Sequence, residues 1–194
     1  MDKNKIRKNM SAVRDAMTEK ERKEKSKIMW QYLMESEEYQ KADIIFTYVS
    51  VNSEAETTSF FEKIWRDGKK IAVPITEKNR KMDFVFLNCM EELTQQRWGI
   101  PEPDKQKSII TLPTNKSLFI VPALAVDKKG ARIGYGGGYY DTYFSKVKDG
   151  FKMGFVFSVQ KIQEIEVENT DILLDGIITE HGPRFLERKL SKEL

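Results

Sequence analysis

The 194-residue sequence predicts an α/β fold: a three-layer α/β/α domain with a largely parallel, Rossmann-like central sheet, spanning residues 1–194 as one domain. Three observations predict it. Short continuous apolar runs bounded by turn signals recur along the chain, as buried parallel strands do. Helix-length amphipathic stretches alternate with them. No Gly/Ser linker or internal repeat divides the chain.

The elements follow in order. Residues 2–17 carry Ile6, Met10, Val13 and Met17 at helical spacing. The tetrad TEKE, Thr18 to Glu21, has the capping-box spelling and starts a second helix, whose apolar face reads Ile28, Met29, Tyr32 and Leu33. DIIFTYVSV, Asp43 to Val51, is a first buried strand, and a helix from about Thr57 stops at Gly68. IAVPI and MDFVFLN supply two more strands. RWGIPEP, with two prolines and a glycine in seven residues, reads as a loop of fixed turns. SLFIVPALAVD is a strand that runs into a glycine-rich stretch; YYDTYFSKV is then a helix, FKMGFVF a strand and LLDGIITE the last strand. In parallel α/β sheets, ligands sit beyond the carboxyl ends of the strands. The loops after Val49, Pro122 and Phe157 are therefore the places to search.

Composition narrows the chemistry. Hydrophobic content of 40% with 32% charged residues is that of a soluble globular protein. No apolar run approaches the roughly 20 residues that span a bilayer, so no membrane association is expected. MDKNKIRKNM lacks the apolar core of a secretory signal, and the single cysteine, Cys89, suits a reducing compartment; the expectation is a cytoplasmic protein. With one cysteine and one histidine, His181, a metal site must be built on oxygen ligands, as magnesium sites are. A net charge of +3 does not by itself call for nucleic acid, and the basic N-terminal runs have no interleaved aromatic residues, so no nucleic-acid partner is expected. Nothing in the sequence requires more than a monomer.

RIGYGGGYYDTYF, Arg132 to Phe144, places four glycines between an arginine and two tyrosines, with an acid directly behind. Backbone N–H groups freed of side chains can wrap an anion at the entrance of a helix. The P-loop spelling and the dinucleotide fingerprint are both absent. Arg132 can clamp a phosphate bidentately or be a solvated loop residue. Asp141 can hold magnesium beside phosphates or simply favour the helix dipole. Tyr139 and Tyr140 offer flat faces and hydroxyls to a ring-shaped ligand.

RIGYGGGYYD, preceded by VPALAVDKKGA, resembles the 5-formyltetrahydrofolate cyclo-ligases, also called methenyltetrahydrofolate synthetases. KNKIRK, TYVSVNSEAET, RWGIPEP and DILLDGIITE resemble the same family in the same order, so the likeness spans nearly the whole chain. One departure is Thr170-Asp171, where the family often has a His-Asp pair. The resemblance implies an ATP- and magnesium-dependent closure of 5-formyltetrahydrofolate to 5,10-methenyltetrahydrofolate, with release of ADP and phosphate through a phosphorylated formyl group. It implies a nucleotide site at Lys3, Asn4, Lys5, Ile6 and Arg7, with Lys3 and Arg7 as its basic pair. The phosphate loop would be Arg132, Ile133, Gly134, Tyr135, Gly136, Gly137, Gly138, Tyr139 and Tyr140. It implies Asp141 and Asp175 as magnesium carboxylates, and Val51, Glu56, Trp98, Tyr139 and Tyr140 as folate contacts. Glu56 is favoured over Glu54 as the carboxylate that accepts the pterin amino group and ring N–H in a forked pair. Tyr140 is placed where formyl group and transferred phosphate meet, to orient or to hydrogen-bond, with Arg132 as its catalytic companion. Two rivals remain at this level: another phosphate-ligand enzyme on the same architecture, such as a sugar-phosphate isomerase or acyl-CoA transferase, and an RNA-binding module.

Overall fold

The computed structural model describes residues 2–95 and 99–186. Its first helix, α1 (Lys3–Asp15), is capped by Asp2, whose side chain accepts from the Asn4 amide. Helix α2 (Glu19–Glu35) starts on the capping box read from TEKE: the Glu21 amide donates to Thr18 Oγ1 and the Thr18 amide donates to Glu21 Oε2. The buried face of α2 differs from the sequence reading. Ser26, Met29, Trp30 and Leu33 face inward, while Ile28 and Tyr32 lie partly in solvent. Trp30 rotates the face, because its indole N–H finds the Glu56 carbonyl at 2.8 Å and its ring stacks on Phe60.

After α3 (Glu37–Lys41) come β1 (Ile44–Phe46), α4 (Phe61–Arg66), β2 (Lys70–Thr76) and β3 (Met82–Leu87). Strands β4 (Leu93–Gln95) and β5 (Pro101–Pro103) form a separate antiparallel ribbon, so part of RWGIPEP is strand rather than loop. Its two prolines sit at the ends of β5 and leave Glu102 to pair opposite Thr94. The chain continues through β6 (Ile110–Thr111), β7 (Ser117–Val121), the short ribbon of β8 (Ala125–Val126) and β9 (Arg132–Ile133), α5 (Tyr139–Phe144), β10 (Phe151–Phe155) and β11 (Gly176–Thr179). A final strand, β12 (Gly182–Phe185), was not read from the sequence. It is mostly exposed and carries Gly182 and Pro183, so no apolar alternation announces it.

Eight strands form the main sheet in the order β12-β11-β10-β7-β1-β2-β3-β6. The five from β11 to β2 are parallel, and antiparallel strands flank them on both sides. Both faces are covered. Ile45, Leu118, Ile120, Met153 and Phe155 pack under α2, α3 and α4, whereas Phe46, Phe119 and Val121 pack with Tyr143 and Phe144 of α5. The period-2 alternation along β1 and β7 thus divides the core into two layers. Helix α1 sits apart from both, with Ile6 against Ala125, Ala131, Ile133 and Ile165.

Strand order positions the site. The chain passes from β1 outward to β2, then returns to lay β7 on the opposite side of β1. Adjacent connections therefore leave the β1–β7 boundary in opposite directions and open a crevice at its carboxyl edge. Pro74 fits this edge. β1 stops pairing with β2 at Ala72, so the proline's missing N–H lies past the parallel partner.

Candidate functional site

A cavity of about 970 Å³ opens at that crevice. Tyr48, Val49 and Val51 reach it from beyond β1, Pro122 from beyond β7, and Ile100, Pro101 and Glu102 from the proline-rich ribbon. The whole run from Arg132 to Asp141 lines it, as do Lys3 and Arg7 of α1. The loop after Phe157 does not. Residues 168–172 take that place.

At one end, the cations are held in position by the protein. Lys3 Nζ lies 2.7 Å from Asp171 Oδ2 and 2.8 Å from Glu168 Oε1. Burial lowers its proton affinity, but these two acids outweigh burial and raise it. Arg7 donates from Nε to the Gly134 carbonyl at 3.0 Å and from Nη1 to Asn4 Oδ1 at 2.6 Å. Helix α1 is thereby fastened to the glycine stretch. Arg132 donates to the Ile172 carbonyl and, at 2.9 Å, to Asp141 Oδ1, which also accepts the Ile172 amide at 3.1 Å. Gly136 and Gly138 have φ of 96° and 68°, backbone conformations that side chains disfavour.

Two carboxylates, Asp141 and Asp171, therefore meet here through Ile172. Each commits one oxygen to the scaffold: Asp141 Oδ1 as above, and Asp171 Oδ2 to Lys3 and to the Glu168 amide at 2.9 Å. Burial works against ionisation of Asp171, yet those bonds hold its carboxyl below the ordinary range. The second oxygen of each has no hydrogen-bond or ion-pair partner among the described residues. Among the described residues there is no cluster of three or more His, Cys, Asp or Glu side chains.

At the other end lies Glu54. Its Oε1 accepts from the Tyr135 hydroxyl at 2.5 Å and its Oε2 from the Val51 amide at 3.0 Å. Burial pushes the carboxyl above the ordinary glutamate range, and the bonds from Tyr135 and Val51, with the nearby Arg14, offset this only in part. Between the two ends, the buried Tyr140 hydroxyl has no hydrogen-bond partner among the described residues. Burial raises its pKa well above that of free tyrosine. A phenol kept neutral and unsatisfied in a cavity wall is equipped to bond a ligand.

Several expectations from the sequence change at this point, each for a visible reason. Glu56, preferred over Glu54, does not line the cavity: its amide donates to Ser26 Oγ and its carbonyl accepts from Trp30, which turns it toward α2. Of the two glutamates, Glu54 is the one that lines the cavity. Asp175 is also outside the lining. Its Oδ2 accepts the Lys152 amide at 2.8 Å between β10 and β11. Asp171, four residues earlier, does line the cavity. Of Asn4, Lys5 and Ile6, none lines the cavity; Asn4 supports Arg7, Lys5 is exposed and Ile6 is core. Trp98 lies outside the described residues. Val51, Tyr139 and Tyr140 do reach the cavity. Arg14, Arg80, Glu102 and Glu168 had drawn no attention in the sequence, since each reads there as a solvated charge.

The sequence profile of the 5-formyltetrahydrofolate cyclo-ligase family matches residues 1–180. The chain belongs to that family. The cyclo-ligase family resemblance read from the glycine stretch is thus matched over nearly the full length. Relatives include a 5-formyltetrahydrofolate cyclo-ligase of Mus musculus, 29% identical over 182 residues and covering 87% of this chain and 88% of the relative. A probable 5-formyltetrahydrofolate cyclo-ligase of Caenorhabditis elegans is 28% identical and covers 92% of both chains. Among solved structures, the 5,10-methenyltetrahydrofolate synthetase of Aquifex aeolicus superposes with a TM-score of 0.85 at 27% identity, covering 100% of this chain and 97% of that one. The Mycoplasma pneumoniae protein, at 22% identity and a TM-score of 0.75, shares the fold.

Proposed function

We propose that this member of the cyclo-ligase family closes 5-formyltetrahydrofolate to 5,10-methenyltetrahydrofolate with consumption of ATP. That it is a ligase acting on a formylated folate rests on family membership. ATP, magnesium and a phosphorylated intermediate are what the family resemblance implies, and the cavity supports them. One observation carries the reading: a single cavity holds a glycine-rich, cation-lined end and a buried carboxylate end, with an unsatisfied tyrosine hydroxyl between them.

The chemistry makes two ends necessary. A formamide oxygen is a poor leaving group, so the formyl oxygen attacks the terminal phosphorus of ATP and ADP leaves. The folate N10 then attacks the formyl carbon, a carbon–nitrogen bond forms, and the carbon–oxygen bond breaks with departure of phosphate, the N10 proton leaving with the phosphate or to water. Positioning and charge neutralisation suffice for both steps. Lys3, Arg7 and the backbone of Gly134 to Gly138 bind the phosphates, and Arg132 orients Asp141. Glu54 accepts the pterin amino and ring N–H groups as a forked pair, with Val49 and Val51 against the ring. Tyr140 donates a hydrogen bond from its hydroxyl to the formyl oxygen that accepts the phosphoryl group. Asp141 and Asp171 would hold magnesium, which supplies charge neutralisation to the phosphates when bound.

The test is direct. Purified protein is mixed with 5-formyltetrahydrofolate, ATP and magnesium, and the near-ultraviolet absorbance of the methenyl product is followed. Product that forms only with ATP supports the reading. Absence of product from folded protein that still binds ADP rejects it.

A further inference from the structure

We propose that Arg80 is a phosphate-binding residue of this site, delivered by the β2–β3 turn; the inference rests on the nucleotide reading of the cavity. Three arginines line the cavity, and two are already engaged. Arg7 is bonded to Gly134 and Asn4, and Arg132 to Ile172 and Asp141. Arg80 makes no hydrogen bond or ion pair with any described residue, although it lines the same cavity. It is not remote from the glycines. A Cβ placed on Gly138 would lie 3.5–3.6 Å from the Cδ, Cζ and Nε of Arg80. The guanidinium thus lies across the glycine stretch with its donors uncommitted.

Its backbone supports the same conclusion. The hairpin closes through Lys78, Asn79, Arg80 and Lys81, with the Lys81 amide toward the Lys78 carbonyl at 3.5 Å. Asn79 and Arg80 both have φ of 61°. Two consecutive positive-φ residues form the turn type that favours Asn followed by Gly. Asparagine is present, but an arginine occupies the glycine position and bears a steric cost that glycine would avoid. Strain of this kind persists where the residue serves a function and its surroundings hold it. One tether is visible: the Tyr139 hydroxyl donates to the Glu77 carbonyl at 3.1 Å and fixes the turn to α5.

Charge gives the reason for a further cation. Four cationic side chains line the cavity, Lys3, Arg7, Arg80 and Arg132, against five acids; Glu54 belongs to the opposite end, and without Arg80 the other four, Glu102, Asp141, Glu168 and Asp171, would outnumber the cations. An unpaired excess of acid repels a polyphosphate. Lys3 is shared with two of the acids and Arg132 with a third, so Arg80 is the cation that can turn its full fork to phosphate oxygens.

The experiment compares wild type with Arg80→Ala, Arg80→Gly and Arg80→Lys. Calorimetric titration with MgATP and MgADP is paired with steady-state kinetics for each substrate. The alanine and glycine variants are expected to bind MgATP about tenfold more weakly or worse, and the lysine variant to lie between them and wild type. The KM for 5-formyltetrahydrofolate is expected to stay within about twofold of wild type. Arg80→Gly is expected to melt above wild type while binding ATP poorly, which separates a lost contact from a damaged fold. Variants that match wild type in nucleotide affinity and in kcat/KM for ATP overturn the role of Arg80 and leave the cyclo-ligase reading standing. A wild-type protein with neither ATP-dependent turnover nor nucleotide binding overturns both.

Discussion

The hydroxyl of Tyr135 lies 2.5 Å from Oε1 of Glu54 and, on its other side, 2.6 Å from Nη1 of Arg14. Tyr135 belongs to the glycine stretch and Glu54 to the loop after β1, so this one oxygen joins the two ends of the cavity. Behind it stands a chain of hydrogen bonds: Arg14 Nε donates to Ser53 Oγ at 2.9 Å, and Ser53 donates to Asp15. The Arg14 guanidinium also lies 5.5 Å from the Tyr135 ring centroid. Helix α1, the acid-bearing loop and the glycine stretch are therefore one hydrogen-bonded unit.

Replacing Tyr135 with Phe removes the donor to Glu54 and leaves one Arg14 nitrogen without its acceptor. The KM for the folate is expected to rise about three- to tenfold, and stability to fall by about 1–2 kcal/mol. The pH profile separates this from simple loosening. The Tyr135 bond lowers the proton affinity of Glu54, so its loss moves the acid limb of kcat/KM to higher pH. An unchanged limb in the Phe variant would remove Tyr135 from this role.

Glu54 and Glu56 are predicted to differ sharply. Glu54→Gln loses the forked acceptor and is expected to lower kcat/KM for the folate by about a hundredfold or more. Glu56→Gln alters a side chain outside the cavity and is expected to stay within about threefold. The sign of the pH effect follows from burial. Burial raises the carboxyl of Glu54, so activity that needs it ionised climbs with pH through a midpoint above the free value of about 4.3. For the fold the sign is opposite: a raised acid contributes stability at low pH that is lost as pH rises through its folded value. A kcat/KM profile with no such limb in wild type would contradict the assignment.

The parallel core was legible because its strands are buried on both faces and read as unbroken apolar runs. The TEKE cap was legible because both partners are local. The glycine stretch was visible as a composition anomaly, and it does line the cavity from Arg132 to Asp141. What the sequence hid depended on non-local hydrogen bonds. Nothing local distinguishes Glu54 from Glu56; Ser26 and Trp30, thirty and twenty-six residues away, decide which one turns toward α2. The same holds for Asp171 and Asp175. β12 and the β4–β5 ribbon escaped because prolines, exposure and short length erase the alternation that marks a strand.

Glu180 offers a test of the fold away from the cavity. Burial opposes its ionisation, yet Lys25 at 2.8 Å and the Ser158 hydroxyl and amide bring its carboxyl down to about 2. A depressed acid contributes stability above its unfolded value that is lost as pH falls toward the folded one. Glu180→Gln is expected to cost about 1–2 kcal/mol at neutral pH, after allowance for solvent screening. The gap to wild type should shrink from about pH 5 downward and close near pH 2. Denaturant unfolding at pH 7, 5 and 3.5 reads this difference; a gap that does not change with pH would assign the loss to packing.

Asp171 and Asp175 lie four residues apart and are predicted to fail in different ways. Asp171 reaches the cavity through Lys3 and faces the same space as Asp141, so Asp171→Asn is expected to raise the magnesium concentration needed for half-maximal rate by about tenfold or more. Its cost in stability should be small, because Lys3 retains Glu168 at 2.8 Å. Asp175 instead ties β11 to β10: its carboxylate accepts the Lys152 amide, and the buried Lys152 ammonium lies 3.8 Å away. Asp175→Asn removes the negative charge facing that buried ammonium and is expected to cost about 1–3 kcal/mol in unfolding free energy, with an unchanged magnesium requirement in the protein that remains folded. Magnesium titration of both variants, beside their unfolding curves, decides the pair. If Asp175→Asn shifts the metal requirement and Asp171→Asn does not, the magnesium carboxylates are Asp141 and Asp175, and the cavity wall formed by residues 168–172 serves the nucleotide alone.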